Sequence, residues 1–482
     1  MLFSTRSDVA ATPSQAIVKG LCDDGGLFFF KNIEGFPFDE RLVDLDYKSL
    51  AKVVLRFFFD DFAAEDISGI VDRAYSPENF SVPVFLREAC GQAYLELFHG
   101  PTCAFKDMAL TVLSGLLSRA KNNIGDRSKT LILTATSGDT GSATLSGFSS
   151  GEAKVVVLYP SGGVSPVQEA QMQHFAVNGS RAVAVGGNFD DCQTLVKKVF
   201  ADRTFEHSAE LSSANSINVG RLVPQVVYYI YSYLELVRKK RIKFGDGIVF
   251  SVPTGNFGDI LAGYVAKLAG VPITRLVCAS NANDVLTDFF KNGVYDRVRP
   301  FRKTISPSMD ILVSSNLERL LYLESGCDGG YVRSLMSDLA ERGRYEVSAD
   351  LKKKLGYFYP FSLDDEGTAR EIKRVFSESG YLIDPHTAVA SAALKSFAES
   401  TGYDGAGVVV STASPYKFPL PVSAALGLPA ERDVFASIAA LEDFSKNPAP
   451  ERIKSLNGER FSAEFWAKSE AEEKLKELIK RY

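Results

Sequence analysis

From about residue 93 to residue 420 the chain alternates short apolar, β-branched runs with longer stretches of helical periodicity. The runs at 131–135, 155–159, 181–185, 248–252 and 407–410 show little polar alternation, so they read as strands covered on both faces. Helices are predicted over 108–116, 189–200 and 260–269, and from residue 142 onward. Helix starts are marked too. Ser165-Pro166-Val167-Gln168 offers a capping serine, a proline at the first helical position and a capping-box glutamine. Asp384-Pro385 repeats the cap-and-proline device, which accounts for Asp384 and His386 without a catalytic role.

This alternation implies an α/β architecture with largely parallel pairing, in which 108–205 forms a compact unit able to move as a lobe. Before residue 90 the pattern differs, with a helix predicted over 47–59 and aromatic clusters at Phe28-Phe29-Phe30 and Phe57-Phe58-Phe59 that read as core. After residue 430 the chain turns polar and helical, with Glu470/Lys474 and Glu472/Lys476 one turn apart and Trp466 as an anchor. No internal repeat interrupts this plan.

At 482 residues the chain exceeds what one core fills, so two to four domains are expected. Fifty-four basic against 59 acidic residues, without a dense basic stripe, argue against nucleic acid as a partner. No run reaches about 18 apolar residues and residues 1–11 lack a signal pattern, so a soluble intracellular protein is expected. The six cysteines show no paired spacing, which argues against a zinc site or a disulfide framework. Cys103 is read as a small packing residue, since none of the four histidines (99, 174, 207, 386) is tied to it by spacing.

Five segments carry candidate chemistry. Lys106 follows Gly100-Pro101-Thr102-Cys103-Ala104-Phe105 and precedes a helical run. A lysine held against apolar neighbours is desolvated, which favours the neutral amine, the form that condenses with an aldehyde. The alternative is a surface lysine at a helix start. In Pro253-Thr254-Gly255-Asn256-Phe257-Gly258-Asp259, two glycines let backbone N–H groups crowd one anion at a helix N-terminus; an ordinary strand-to-helix turn is the alternative. At Thr136-Ser137-Gly138-Asp139-Thr140, hydroxyls and backbone donors at a strand's carboxyl end suit a carboxylate or phosphate, while Ser137 or Asp139 also suits a helix cap. Ser411 and Thr412 end another strand, where a hydroxyl can bond a ring nitrogen without protonating it or simply cap. Arg221, near Asn215 and Ser216, suits forked binding of a phosphoester, or stands exposed after a helix cap.

The segments at 99–107 (HGPTCAFKD), 134–143 (TATSGDTGSA), 212–222 (SSANSINVGRL), 251–259 (SVPTGNFGD) and 384–388 (DPHTA), with Ser4-Thr5-Arg6 and 20–27, occur in order over roughly residues 1–420. Together they resemble the threonine synthases, pyridoxal-phosphate enzymes of the tryptophan-synthase-β fold. The resemblance implies two open, mostly parallel α/β lobes around a central cleft for pyridoxal 5′-phosphate. The expected divisions are an α-rich N-terminal domain at 1–92, a catalytic region at 93–430 and a helical segment at 431–482. Within the catalytic region, a mobile small lobe at about 108–205 faces a large lobe at 93–107 and 206–430.

The same resemblance implies roles. Lys106 would bind the cofactor and act as the catalytic base, and Gly255, Asn256, Phe257, Gly258 and Asp259 would grip its phosphate. Thr412, with Ser411 as second choice, would face the ring nitrogen, and Asp139 would stand near the ring oxygen. Ser137, Thr140, Asn215, Ser216 and Arg221 would hold O-phosphohomoserine. The implied reaction is loss of phosphate from the γ carbon and addition of water at the β carbon, giving threonine, in a metal-free cytoplasmic monomer or weak dimer. Asp139 departs from the wider fold, where many relatives carry asparagine. A carboxylate would repel a phenolate, so Asp139 is expected either to bond through a proton or to cap the helix while Thr140 or a backbone donor takes over. A phospholyase releasing 2-oxobutyrate, ammonia and phosphate would use the same residues. A non-catalytic cofactor-binding module is the remaining alternative, and the presence of Lys106 with both anion loops argues against it.

Overall fold

The structure is a computed structural model that describes residues 1–202, 204–205, 209–431, 433–458 and 463–482. His207 lies outside the described residues. Two sheets carry the catalytic region. The larger has six strands in the order Phe358–Ser362, Ile273–Ser280, Ile248–Pro253, Ala406–Ser411, Gln92–Glu96 and Phe85–Ala89. Its pairs are parallel except for the hairpin between the last two. Every residue of Ile248–Pro253 is buried, because helices cover both faces of a parallel strand.

The smaller sheet has five strands in the order Glu464–Trp466, Arg181–Val185, Lys154–Pro160, Lys129–Ala135 and Ala209–Ser212, all paired in parallel. The Glu464–Trp466 strand comes from the tail. Between the helices Val434–Ser445 and Ala471–Lys480, residues 464–466 lie in register with Val183 to Val185, and buried Trp466 packs with the core of this sheet. Lys474 and Lys476 pair with Glu470 and Glu472 at 2.6 and 3.1 Å, as their spacing suggests.

Local signals explain most elements. Ser165 accepts from the Gln168 backbone while the Gln168 side chain returns to the Ser165 N–H, with Pro166 at the first helical position of Pro166–Phe175. The helix predicted from residue 142 begins earlier, as Asp139–Gly147, because Gly138 at φ 130° makes the turn that only a residue without a side chain makes easily. At the N-terminus the helices Tyr47–Phe58 and Ala64–Ala74 bury Phe28, Phe29 and Phe30, with the Phe30 and Phe58 rings 5.1 Å apart. Arg6 ties this region to the body by a 2.8 Å ion pair with Glu318. Among the described residues no helix is long and apolar enough to cross a membrane.

Candidate active site

A cavity of about 930 Å³ opens at the carboxyl ends of Lys129–Ala135, Ile248–Pro253 and Ala406–Ser411, where open parallel sheets place their ligands. Its lining brings together Lys106, Ser137, Asp139, Thr140, Asn215, Ser216, Arg221, Thr412 and the turn from Gly255 to Asp259. Ser411 is not in the lining; its hydroxyl is buried away from it.

Lys106 stands just before the helix Asp107–Asn123 on a loop stitched to the strand end that carries Thr412. Phe105 N–H donates to the Thr412 carbonyl at 2.8 Å, and Ser414 N–H donates to the Cys103 carbonyl at 3.1 Å. Cys103 takes φ 57° to make that loop, and burial pushes its thiol up to about 12, so it packs rather than attacks. The Lys106 side chain is 11% exposed. Burial lowers its pKa, and the cations Arg221 and Lys417 add to this, while Asp139 opposes it. The shift towards the neutral amine inferred from its chain neighbours is thus in the expected direction, with Asp139 working against it.

Of the two roles expected of Asp139, the structure excludes the helix cap. The cap position is Gly138, with no side-chain bond. Burial would raise the Asp139 pKa, yet Lys417, Lys106 and the Gln168 amide hold it well below the usual carboxylate range. Oδ1 meets Lys417 Nζ at 3.0 Å and Gln168 Nε2 at 2.8 Å, while Oδ2 accepts from the Ser308 hydroxyl at 3.1 Å and faces Lys106 Nζ at 3.5 Å.

The glycine turn has the form of an anion cradle. Phe257 takes the left-handed conformation at φ 63° as the helix Gly258–Leu268 begins. The Gly255 carbonyl accepts from the Ser314 hydroxyl at 2.7 Å and the Asn256 carbonyl from the Asn316 backbone at 3.1 Å. With the carbonyls tied back, the N–H groups of 255–258 donate to no protein acceptor among the described residues. A Cβ on Gly255 would stand 2.8 Å from the Ser308 carbonyl, so the close approach needs glycine there. Asp259 is different. Its carboxylate Oδ1 accepts both Tyr228 and Tyr229 hydroxyls, at 2.6 and 2.8 Å, so its side chain serves the helix packing rather than an anion.

Arg221 is only 3% exposed, which overturns the exposed-arginine alternative. Its helix, Val219–Arg238, is buried on almost every side and capped by Asn218. One guanidinium nitrogen donates to the Ala214 carbonyl at 2.9 Å, and Nε has no partner among the described residues. Burial pulls its pKa down to about 10, with no carboxylate to offset it. A buried, uncompensated cation beside a cavity calls for an anion.

Four lining or supporting residues had little signal in the sequence. Lys417, Gln168 and Ser308 reach Asp139 from distant segments, and His386 accepts the Ser308 N–H at 3.1 Å through Nε2. A lysine between Tyr416 and Phe418 in an apolar, proline-bracketed run was the one hint of Lys417.

An α/β fold with a desolvated lysine, a turn of free N–H groups and a buried arginine at its strand ends defines a class, and residues 91–414 match the family described as pyridoxal-phosphate dependent enzyme, to which this chain belongs. Residues 1–75 match the threonine synthase N terminus. The chain is 41% identical over 399 residues to human Threonine synthase-like 1, covering 78% of this chain and 53% of that one, so it spans about half the length of that relative. It is 35% identical to Threonine synthase of Saccharomyces cerevisiae, covering 97% and 95% of the two chains. The crystal structure of PLP-bound threonine synthase from Brucella melitensis superposes with a TM-score of 0.86 at 35% identity, over 99% of each chain. The site residues fit that cofactor: a lysine, its pKa lowered by desolvation, for the aldehyde and a cradle of free N–H groups for the phosphate.

Proposed function

We propose that the protein converts O-phospho-L-homoserine and water to L-threonine and phosphate, with pyridoxal phosphate held by Lys106. The observation that carries this reading is one cavity lined by a desolvated lysine and by two groups suited to anions, the free N–H groups of 255–258 and the uncompensated Arg221. Two phosphates need two such groups. On this reading the cradle takes the cofactor phosphate, and Arg221 with Asn215 and Ser216 takes the substrate phosphate, with Ser137 and Thr140 on its carboxylate.

The bound cofactor supplies an electron sink for charge that develops on the substrate carbons. Lys106 Nζ, shifted towards the neutral amine, moves protons at the α and β carbons. Asp139 Oδ2 at 3.5 Å holds the ammonium that results. Arg221 keeps the phosphate in place as it leaves, and Thr412 at the cavity wall bonds the ring nitrogen without charging it. We propose 1–92, 93–430 and 431–482 as divisions of the chain, with the strands Phe85–Ala89 and Glu464–Trp466 joining the sheets of the middle one and 108–205 as the moving lobe, in a cytoplasmic monomer or weak dimer.

Product analysis tests the reaction. Purified protein with pyridoxal phosphate and O-phosphohomoserine should release threonine and phosphate; 2-oxobutyrate and ammonia in place of threonine, with phosphate still released, would turn the assignment to a phospholyase. Borohydride reduction of the loaded protein should fix the cofactor on Lys106, and its recovery on another lysine would overturn the anchor.

A further inference from the structure

Lys417 is a fully buried cation that donates to the Thr102 carbonyl at 2.7 Å and to Gln171 Oε1 at 2.7 Å, and forms an ion pair with Asp139 Oδ1 at 3.0 Å. It belongs to the short turn Pro415–Lys417, which follows the strand bearing Thr412, while Gln171 and Asp139 belong to helices beside the smaller sheet. A buried ammonium is costly unless a carboxylate compensates it, and Asp139 is that carboxylate. Gln168 shares Oδ1, so Asp139 is held on one side by an ammonium and an amide. Its other oxygen is left to Ser308 and Lys106.

We propose that Lys417 is a positioning residue for the reaction: it neutralises Asp139 from behind, so that Oδ2 orients Lys106 Nζ without taking its proton. A carboxylate already bound by an ammonium and an amide is a poor base. A proton gathered by Lys106 therefore stays on Nζ for return to a substrate carbon. Asp139 and Lys417 together act as a net-neutral unit, which places a carboxylate near the cofactor without adding a net negative charge there. The inference rests on the reading of Lys106 as the cofactor lysine.

The charged and titratable groups facing the pair come from several elements. Lys106 and Asp107 open the helix Asp107–Asn123, Arg221 lies in Val219–Arg238 and Asp259 in Gly258–Leu268. His386 faces Asp139 from Pro385–Thr401, with Asp384 and Asp310 behind it. Asp107 is engaged by the N–H and hydroxyl of Thr102, at 2.8 and 2.7 Å.

The test uses the full chain loaded with pyridoxal phosphate and reads the pH midpoint at which its visible absorbance changes. Lys417→Met should raise the midpoint by about one pH unit or more, because an uncompensated Asp139 stabilises the proton on Lys106. Asp139→Asn should lower it, and adding Lys417→Met to Asp139→Asn should move it far less than Lys417→Met moves the unsubstituted protein, since Lys417 acts through Asp139. If Lys417→Met does not fold, Lys417→Gln, which loses the charge but keeps a donor, makes the same comparison in both backgrounds. Turnover of Lys417→Met should fall about tenfold with substrate KM little changed, since the loss is in proton handling. Equal midpoints for Lys417→Met and the unsubstituted protein, or a shift on Lys417→Met that is as large with Asp139→Asn as without it, would overturn the proposal. A loaded protein with no visible band would instead overturn the anchoring role of Lys106.

Discussion

His386 and Ser308 are joined by a hydrogen bond in which the Ser308 backbone N–H donates to His386 Nε2 at 3.1 Å. A backbone N–H only donates, so Nε2 is bare and the ring hydrogen sits on Nδ1, where Asp384 Oδ2 receives it at 2.5 Å. The helix cap at Asp384 thus also orients the residue whose hydroxyl holds Asp139.

Asp384→Asn tests this link. Each Asp384 oxygen accepts a backbone N–H, from Thr387 on one side and His386 on the other, both at 3.0 Å. An amide must place a donor against one of them. We expect a loss of about 2–3 kcal/mol in denaturant unfolding, together with weaker turnover. Unchanged stability would show that the two oxygens are not both required.

Arg221→Lys keeps the charge and loses the fork. The variant should raise the KM for O-phosphohomoserine by about tenfold or more, with cofactor affinity changed far less. Equal weakening of both would reject the division of the cavity into two phosphate sites.

Thr412→Asp places a carboxylate where Thr412 lines the cavity. If the hydroxyl meets the ring nitrogen, the variant favours a protonated ring, and threonine formed per phosphate released should fall as side reactions grow. A folded, cofactor-bound variant with unchanged products would remove Thr412 from that role. A large drop in Tm would mark it as a buried cap.

Asp259 gives a pH signature. Burial pushes its carboxyl up to about 6 from an ordinary 3.8, against the two tyrosine hydroxyls that favour ionisation. The unfolded chain releases this proton near 3.8 and the folded chain near 6, so the folded state binds more protons between those values. Stability therefore falls as pH rises through that window, by roughly 3 kcal/mol, and is level above it. Asp107 is raised to about 6 in the same way and contributes in parallel. Asp259→Asn should remove only its own share, seen as a shallower decline of stability with rising pH; an unaltered slope would place the Asp259 proton elsewhere.

What could be read from the residues alone was what depends on near neighbours. The Ser165/Gln168 cap, the Asp384-Pro385 start and the glycine turn at 255–258 are written within a few positions. The desolvation of Lys106 was legible because Ala104 and Phe105 adjoin it in the chain. The state of Asp139 was not, since its partners Gln168 and Ser308 lie 29 and 169 positions away and only the packed sheets bring them together. The burial of Arg221 follows from a helix covered nearly all round, a property of its surroundings rather than its own periodicity. Residues 464–466 escaped notice as a strand because three residues give no pattern to measure.

That three-residue strand has a consequence for the order of events in synthesis. It covers the outer edge of Arg181–Val185, and the ion pair between Arg181 and Glu464 spans 283 positions. While the intervening chain is still being made, Arg181–Val185 stands as a bare parallel edge, with backbone donors and acceptors open to any passing strand. Closing so long a loop adds little entropic cost, so the hazard lies in waiting time rather than in final stability. A nascent chain stalled before residue 464 would be sticky, and its rescue depends on how soon the tail arrives.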